Sequence, residues 1–114
     1  MSKLLERQMD FADAVGLLLC KIKEMGYRCT LGEGYRTPEQ AAIYASNGLG
    51  IPNSLHCKRL ALDINLFKDG KYLGNSEDYE PLGVWWESIG GSWGGRFKKR
   101  PDGNHFSFEW EGVR

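Results

Sequence analysis

The sequence feature that most constrains the fold is a two-residue alternation in the middle of the chain. From Leu60 to Leu66 every second side chain is leucine or isoleucine, and the positions between them carry Ala61, Asp63 and Asn65. Because successive side chains of a strand point to opposite faces, this pattern predicts a strand with one buried face. Asp63 is therefore expected on the polar face of a sheet.

Three further segments have the character of strands. Tyr27–Leu31 alternates and leads into the glycine-bearing turn Gly32–Gly34. In Lys68–Lys71 the Asp-Gly pair supplies the positive φ angles of a tight hairpin turn, so a short partner strand is expected at Lys71–Leu73. The last segment, His105–Trp110, alternates between aromatic side chains and polar ones that begin with His105.

Three helices are predicted from apolar periodicity and from capping residues. They are a segment from near the start to about Met25 that Gly26 ends, a segment from Thr37 and Pro38 to near Gly48, and a segment from Tyr79 to Ile89 that Ser76 caps and Gly90 and Gly91 end. With 114 residues the chain can bury one core. The order of elements predicts an α+β fold in which residues 1–114 form a single domain, with helices flanking an antiparallel sheet.

Composition excludes several classes of function. Fifteen basic and fifteen acidic residues give no net charge, so no overall field attracts nucleic acid or a membrane surface. The segment Met1–Lys23 contains Glu6, Asp10 and Asp13, and it has neither a cleavage-site pattern nor a continuous apolar span. We therefore expect no nucleic-acid partner, no membrane insertion and a chain that is cytoplasmic as made.

Three cysteines cannot all pair with one another, and a chain made in a reducing cytoplasm is expected to keep free thiols. Cys20 and Cys29 lie in apolar runs, so both are expected in the core. Cys57 follows a histidine and is a potential soft zinc ligand. Sequence neighbours in an extended segment seldom reach one metal ion, so Cys57 is not included in a ligand set.

The only two histidines, His56 and His105, each lie near a carboxylate. If the strands that carry Asp63 and His105 are neighbours, both side chains emerge on the same side of the sheet. His56 lies in a loop seven residues before Asp63 and can reach the same point. Two imidazoles and one carboxylate form a known catalytic zinc set. From spacing alone, two solvated or hydrogen-bonded histidines explain the pattern as well.

The sequence motifs around these residues favour a metal site. The segment Ser54–Asp63 resembles the SxHxxGxAxD signature of the D-alanyl-D-alanine carboxypeptidase and L-alanyl-D-glutamate endopeptidase family, which includes VanY-type enzymes and phage endolysins. Asp102–His105 is similar to the second motif of that family, in which an acidic residue precedes the last zinc histidine by three positions. Gly34–Gln40 resembles its upstream substrate-binding segment, so the likeness extends from Gly34 to Trp110.

This resemblance implies a zinc ion held by His56, Asp63 and His105, with Asp102 as the general base. It also implies the fold shared by Hedgehog signalling domains and D,D-peptidases. Zinc lowers the pKa of bound water to about 7, and a carboxylate outside the ligand set can accept the water proton and pass it to the leaving amine. The alternative for Asp102 is an ordinary turn aspartate after Pro101.

Two residues are candidates for substrate binding. Arg36 is suited to hold a substrate carboxylate by two parallel hydrogen bonds, and its alternative is a surface arginine before a helix. Ser54 either hydrogen-bonds near the metal and substrate or closes the Asn53-Ser54 turn. One departure from the signature is Arg59, which stands where the family has glycine and would be strained if the turn requires a positive φ.

Basic and aromatic clusters lie downstream of the first motif. The run Arg96, Lys98, Lys99 and Arg100 is suited to attract an anionic cell wall, although such runs are usually solvated loops. Trp85, Trp86, Trp93 and Phe97 either line a groove or, more economically, pack in the core.

The sequence and the resemblance together predict a monomeric zinc metallopeptidase whose partner is the peptidoglycan stem peptide. The specific expectation is a phage or prophage endolysin with L-alanyl-D-glutamate endopeptidase activity, which acts on the cell wall after release. The alternatives are a D-alanyl-D-alanine carboxypeptidase and a catalytically silent binding domain. The intact Asp102 argues against a silent domain, because a binding protein has no use for a base beside the metal.

Overall fold

The computed structural model describes all 114 residues, Met1–Arg114. Its helices are α1 (Lys3–Glu24), α2 (Pro38–Ser46) and α3 (Glu80–Ser88). Its strands are β1 (Arg28–Leu31), β2 (Ala61–Lys68), β3 (Lys71–Tyr72), β4 (Ser92–Trp93) and β5 (His105–Ser107). Short 3-10 turns occupy Leu55–Lys58, Ser76–Tyr79 and Gly94–Arg96. The expectation of an α+β fold with an antiparallel sheet is confirmed.

The alternating segment forms β2, the central strand of the sheet. All pairings are antiparallel, the sheet order is β1-β2-β5-β4, and β3 pairs with the far end of β2. Asp69 and Gly70 both adopt positive φ angles in the β2–β3 hairpin, as a type I′ turn requires. Because β1 and β5 lie on either side of β2, the segments that follow β1 and precede β5 meet near Asp63.

Helix α1 covers one face of this sheet. Ser2 accepts a hydrogen bond from the Leu5 amide at its start. At its end the amides of Gly26 and Tyr27 donate to the carbonyls of Lys23 and Ile22, which is the Schellman arrangement that a glycine with positive φ permits. Its buried stripe joins a core of 15 residues. They are Phe11, Ala14, Leu18, Ile22, Leu55, Leu60, Ala61, Ile64, Leu66, Tyr79, Leu82, Trp86, Trp93, Phe106 and Phe108.

Trp86 lies at the centre of the core and is fully buried. Its ring makes edge-to-face contacts with Phe11 and Phe106, at centroid distances of 6.0 Å each. Its indole Nε1 donates to the carbonyls of Ser92 and Ser107, at 3.1 Å in both cases. The one polar atom of this side chain is therefore satisfied, so burial of the large ring is favourable.

The second helix begins as predicted, with Thr37 accepting from the Gln40 amide and Pro38 in the first turn. The third helix differs at its start. Ser76 does not cap α3 but begins the preceding 3-10 turn, and its hydroxyl accepts a hydrogen bond from the Gly103 amide at 2.9 Å. A residue expected to act locally therefore joins two segments 27 positions apart.

The predicted strand His105–Trp110 is shorter than expected. Pairing with β2 ends at Ser107, and the Phe108 amide donates to the Leu60 carbonyl just before β2 begins. The chain then turns back on itself through a bridge between Trp110 and Val113. The strand stops because β2 offers no further residues to pair with.

The expectation for the cysteines was wrong in one case. Cys20 is exposed on the side of α1 opposite its buried stripe, because its neighbours Leu18 and Ile22 hold the core positions. Cys29 is half-buried and packs against the core. All three cysteines are free. No helix of the structure combines the length and hydropathy needed to cross a bilayer.

Candidate metal centre

The sheet register brings the two predicted strand ligands together. Asp63 on β2 and His105 on β5 are direct partners across the two strands. His56 comes from the 3-10 turn Leu55–Lys58 that leads into β2. Asp63 Oδ1 lies 3.5 Å from His56 Nε2 and 3.5 Å from His105 Nδ1, and the three candidate ligand atoms lie within 4.8 Å of one another.

These three side chains fit a single zinc ion. Bonds of 2.0–2.1 Å in a tetrahedron separate neighbouring ligand atoms by about 3.3 Å, close to the two distances from Asp63 Oδ1. Both histidines are buried, and Asp63 Oδ1 and His105 Nε2 are buried without a hydrogen-bond partner. Buried polar atoms nearly always have partners, so an acceptor oxygen aimed between two imidazoles without a donor is the signature of a cation site.

The orientation of the His56 ring is fixed by a hydrogen bond at Nδ1, the ring nitrogen that does not face Asp63. Its Nδ1 lies 2.7 Å from the carbonyl oxygen of Gly34. A proton on Nδ1 donates to that carbonyl, which leaves the lone pair on Nε2 directed at Asp63. Outer hydrogen bonds of this kind set the tautomer of metal-binding histidines. The Ser54 hydroxyl caps the same turn by accepting from the His56 amide at 3.2 Å.

Arg59, which stands where the signature resembled by Ser54–Asp63 has glycine, adopts the left-handed conformation. Its φ and ψ are 55° and 36°, and it ends the 3-10 turn that carries His56. Its guanidinium lies 4.2 Å from the centre of the Tyr35 ring. The turn geometry therefore persists without glycine, with the backbone cost partly offset by a cation–π contact.

The charges of the triad shift the pKa values of its members. Burial acts to raise the pKa of Asp63, but the neighbouring imidazoles of His105 and His56, each 3.5 Å from Oδ1, outweigh it and lower the pKa to about 2. Burial acts to lower the pKa of His56, but the adjacent carboxylate of Asp63 raises it above the ordinary value. Without metal, the site therefore behaves as a carboxylate held between imidazoles.

Asp102 lies beside the triad and outside it. Its amide donates to the Gly94 carbonyl at 2.9 Å, and its own carbonyl accepts from the His105 amide at 3.1 Å. The side chain is half-buried and borders the same cavity as the triad. Burial, together with the negative charge of Asp63, raises the pKa of the Asp102 carboxyl. The Asp102 carboxyl therefore borders the cavity of the triad without being one of its members.

Gly94 makes this arrangement possible. A β-carbon at position 94 would lie 2.2 Å from the Asp102 carbonyl oxygen and 2.7 Å from the His105 β-carbon. No side chain is compatible with such contacts unless the backbone moves. The close approach of the 3-10 turn Gly94–Arg96 to the Asp102–His105 segment therefore requires glycine at position 94.

Arg36 is held by partners that the sequence did not reveal. Its Nε and Nη2 donate to Glu33 Oε1, its Nη1 donates to the Ser54 hydroxyl at 3.3 Å, and its guanidinium lies 4.9 Å from the Tyr44 ring centre. Three of its five N–H donors are engaged, and two remain for a ligand. The only signal for Glu33 was its i,i+3 spacing from Arg36. Ser54 thus both caps the His56 turn and accepts a hydrogen bond from Arg36.

A cavity of about 580 Å³ opens over the triad. Arg36, Ser54, His56, Asp63, Asp102 and His105 all border it, so the structure brings every predicted site residue to one place. Cys57 does not border it; its Sγ lies 3.8 Å from the Thr37 carbonyl oxygen. Of the four aromatic candidates only Phe97 does, with its ring centre 5.3 Å from that of His105, whereas Trp86 and Trp93 are buried in the core.

Two of the solved structures that resemble this chain are peptidases. The L-Ala D-Glu endopeptidase ChiX of Serratia marcescens matches with a TM-score of 0.72 at 20% identity, over 88% of this chain and 78% of that one. A mutant of the vancomycin-resistance D,D-pentapeptidase VanY from a VanB-type cassette, in complex with Zn(II), matches with a TM-score of 0.61 at 20% identity, over 87% and 70%. No curated protein sequence matches the chain.

The sequence itself carries the family assignment. Residues 47–108, more than half of the chain, match the profile of a family described as D-alanyl-D-alanine carboxypeptidase. This segment contains His56, Asp63, Asp102 and His105. The chain therefore belongs to the D-alanyl-D-alanine carboxypeptidase family of VanY-type zinc peptidases.

Proposed function

We propose that this peptidoglycan peptidase is an L-alanyl-D-glutamate endopeptidase, in which His56, Asp63 and His105 hold one zinc ion and Asp102 is the general base. The observation that carries the proposal is the position of Asp102. It borders the same open cavity as two imidazoles and a carboxylate, yet it is separate from them. Hydrolysis by a metallopeptidase needs this combination of three ligands and an unligated base.

Each residue then has a chemical role. A bound zinc ion lowers the pKa of water and polarises the scissile carbonyl. Asp102 accepts one proton from the attacking water and donates it to the nitrogen of the leaving amine as the C–N bond breaks. His56 is kept in the required tautomer by the Gly34 carbonyl. Phe97 packs against the His105 ring at a centroid distance of 5.3 Å.

Arg36 is suited to bind the α-carboxylate that follows the scissile bond. In the L-Ala-D-Glu unit this carboxylate is free, because the stem peptide continues through the γ-carboxyl of D-Glu. Glu33 and Ser54 hold the guanidinium in place, and one N–H group on each of Nη1 and Nη2 remains available to a carboxylate. A terminal D-Ala-D-Ala unit presents a carboxylate at the same position, so Arg36 alone does not distinguish the two substrates.

The cavity favours the longer leaving group. A terminal D-alanine ends at its carboxylate, whereas D-Glu continues into the rest of the stem and brings further carboxylates. Four cationic side chains border the cavity, namely Arg36, Lys99, Arg100 and Arg114. The fold also resembles the L-Ala D-Glu endopeptidase ChiX more closely than the D,D-pentapeptidase VanY. Both observations support the endopeptidase over the alternative, a D,D-carboxypeptidase.

The decisive experiment is digestion of purified sacculi, with mass analysis of the fragments. The endopeptidase yields stem peptides with a new D-Glu amino terminus and glycan strands that retain L-Ala. Protein with Asp102→Asn serves as the control, since it should release neither product at an appreciable rate. Release of free D-alanine with the L-Ala-D-Glu bond intact assigns the enzyme to the carboxypeptidases instead.

We extend the proposal to the biological role of an endolysin that reaches the wall after release from the cytoplasm. The support is the resemblance of the Ser54–Asp63 and Asp102–His105 motifs to those of phage enzymes. Expression inside a bacterial host should leave cells intact until the inner membrane is permeabilised, and rapid lysis should follow. Lysis without permeabilisation, or none after it with active enzyme present, argues against this role.

A further inference from the structure

The four members of the basic run behave differently in the structure. Arg96 is paired with Glu87 by two hydrogen bonds of 3.0 Å. Lys98 is exposed and does not border the cavity. Lys99 and Arg100 are exposed, border the cavity, and form neither a salt bridge nor a side-chain hydrogen bond with the rest of the protein. Two adjacent cations therefore face the site without a partner.

The loop that carries them is fixed at both ends. The carbonyl of Gly94 accepts hydrogen bonds from the amides of Phe97 and Asp102, at 3.1 Å and 2.9 Å. The Gly103 amide then donates to the Ser76 hydroxyl. Lys99 and Arg100 therefore lie on a loop that hydrogen bonds close next to the candidate base, so less backbone freedom is lost when they bind a ligand.

The charge of the cavity wall differs from that of the whole protein. The chain has no net charge, yet four cationic side chains border the cavity and only two acidic side chains do, Asp63 and Asp102. Asp63 is already engaged by two imidazoles. Arg36 is paired with Glu33 and is assigned to one substrate carboxylate, whereas Lys99 and Arg100 have no carboxylate within salt-bridge distance. Such a wall favours a ligand with a second negative group.

We propose that Lys99 and Arg100 form a second anion subsite, which binds the side-chain carboxylate of diaminopimelate in the third position of the stem peptide. This inference rests on the proposed function and specifies the substrate class. Diaminopimelate carries a free carboxylate where lysine-type stem peptides have none. The enzyme is therefore selective for diaminopimelate-type peptidoglycan, and the selectivity is electrostatic.

The test compares two synthetic substrates of equal size. One is N-acetylmuramoyl-L-Ala-γ-D-Glu-meso-diaminopimelate-D-Ala-D-Ala, which contains both candidate bonds, and the other has the side-chain carboxyl of diaminopimelate converted to an amide. The wild-type enzyme should cleave the first with a kcat/KM about tenfold higher, the scale of one hydrogen-bonded charge contact. In the double variant Lys99→Gln and Arg100→Gln this ratio should fall close to one, mainly through KM. Lys98→Gln is the matched control and should keep the full ratio.

The outcomes separate the subsite from the assignment of the bond. Product masses identify which bond is cut, whereas the ratio of the two kcat/KM values reports the subsite for either bond. A double variant that slows both substrates equally, with the ratio unchanged, overturns the subsite, as does a wild-type ratio near one. Zinc content and thermal unfolding of each variant confirm that the exposed substitutions leave the fold intact. Raising the salt concentration should reduce the wild-type ratio, because exposed charge contacts are screened.

Discussion

Asp63 and His105 are direct partners across β2 and β5, with Asp63 Oδ1 3.5 Å from His105 Nδ1. The register of the sheet therefore sets the separation of two of the three candidate ligands. A slip of one residue would turn either side chain to the opposite face. The third ligand, His56, depends instead on a capped 3-10 turn.

Zinc binding should depend on Asp63 more steeply than folding does. Asp63→Asn retains the size of the side chain but removes the negative charge that attracts the zinc ion. We therefore expect weaker zinc retention with little change in secondary structure. Zinc content after dialysis against a mild chelator measures this. Because zinc at 100 times its Kd stabilises a protein by about 2.7 kcal/mol, chelation should lower the Tm of the wild type and leave that of the variant nearly unchanged. Equal zinc retention by wild type, His56→Ala and His105→Ala would contradict the assignment of these residues as zinc ligands.

Asp102→Asn should separate chemistry from metal binding. The variant keeps the backbone hydrogen bonds with Gly94 and His105, so zinc content and Tm should match those of the wild type. Turnover should fall by roughly two to four orders of magnitude, the usual contribution of a general base. Near-native hydrolysis would require another base, and Glu109 is the next carboxylate to replace.

The sequence predicted those features that follow from local pattern. Alternation from Leu60 located β2, the Asp-Gly pair located the hairpin, and the Thr37-Pro38 pair located the start of α2. Polar faces on two predicted strands were enough to bring Asp63 and His105 together. These predictions succeeded because each depends on backbone preferences of a few adjacent residues.

Other features depend on distant contacts and had no local signal. Strand β4 has two residues, too few to show a period. The Ser76 hydroxyl serves Gly103 and not α3, and Glu33 holds Arg36 in place. Cys20 is exposed because the stripe of α1 faces away from it. In each case a tertiary neighbour decides the role of the residue, and one sequence without its fold does not identify that neighbour.

Arg59→Gly should stabilise the protein modestly. A non-glycine residue in the left-handed region costs about 1–2 kcal/mol, whereas the exposed stacking on Tyr35 returns only about 0.5–1 kcal/mol. The expected net gain in the free energy of unfolding is between zero and about 1.5 kcal/mol, with activity retained. Arg59→Ala is the matched control: it loses the stacking and keeps the backbone strain, so it should destabilise. Urea unfolding of the three proteins tests both signs.

Gly94→Ala and Gly16→Ala should have opposite effects. At position 94 the new methyl group would meet the Asp102 carbonyl at 2.2 Å, so the Asp102–His105 segment must shift and both stability and turnover should fall. At position 16, inside α1, it meets nothing within 4 Å. Alanine there should raise the free energy of unfolding by about 0.5–1 kcal/mol through its higher helix propensity. A Gly94→Ala enzyme with wild-type activity would contradict the close-approach argument.

The stability of the metal-free protein should depend on pH in two windows set by the triad. The pKa of Asp63 is about 2 when folded, against 3.8 for the ordinary carboxyl. A lowered pKa means that the unfolded chain binds more protons in this range, so its contribution of about 2 kcal/mol is complete above pH 4 and is lost as the pH falls toward 2. The pKa of His56 is raised on folding, so its contribution is complete below about pH 6.5 and disappears as the pH rises through the folded value. Stability from the triad should therefore be greatest between about pH 4 and 6.5.

Urea unfolding in the presence of chelator from pH 2.5 to 8 measures the profile, with Asp63→Asn as the control that lacks the central charge. If wild type and Asp63→Asn lose the same free energy on both sides of this window, the carboxylate is not held between the two imidazoles.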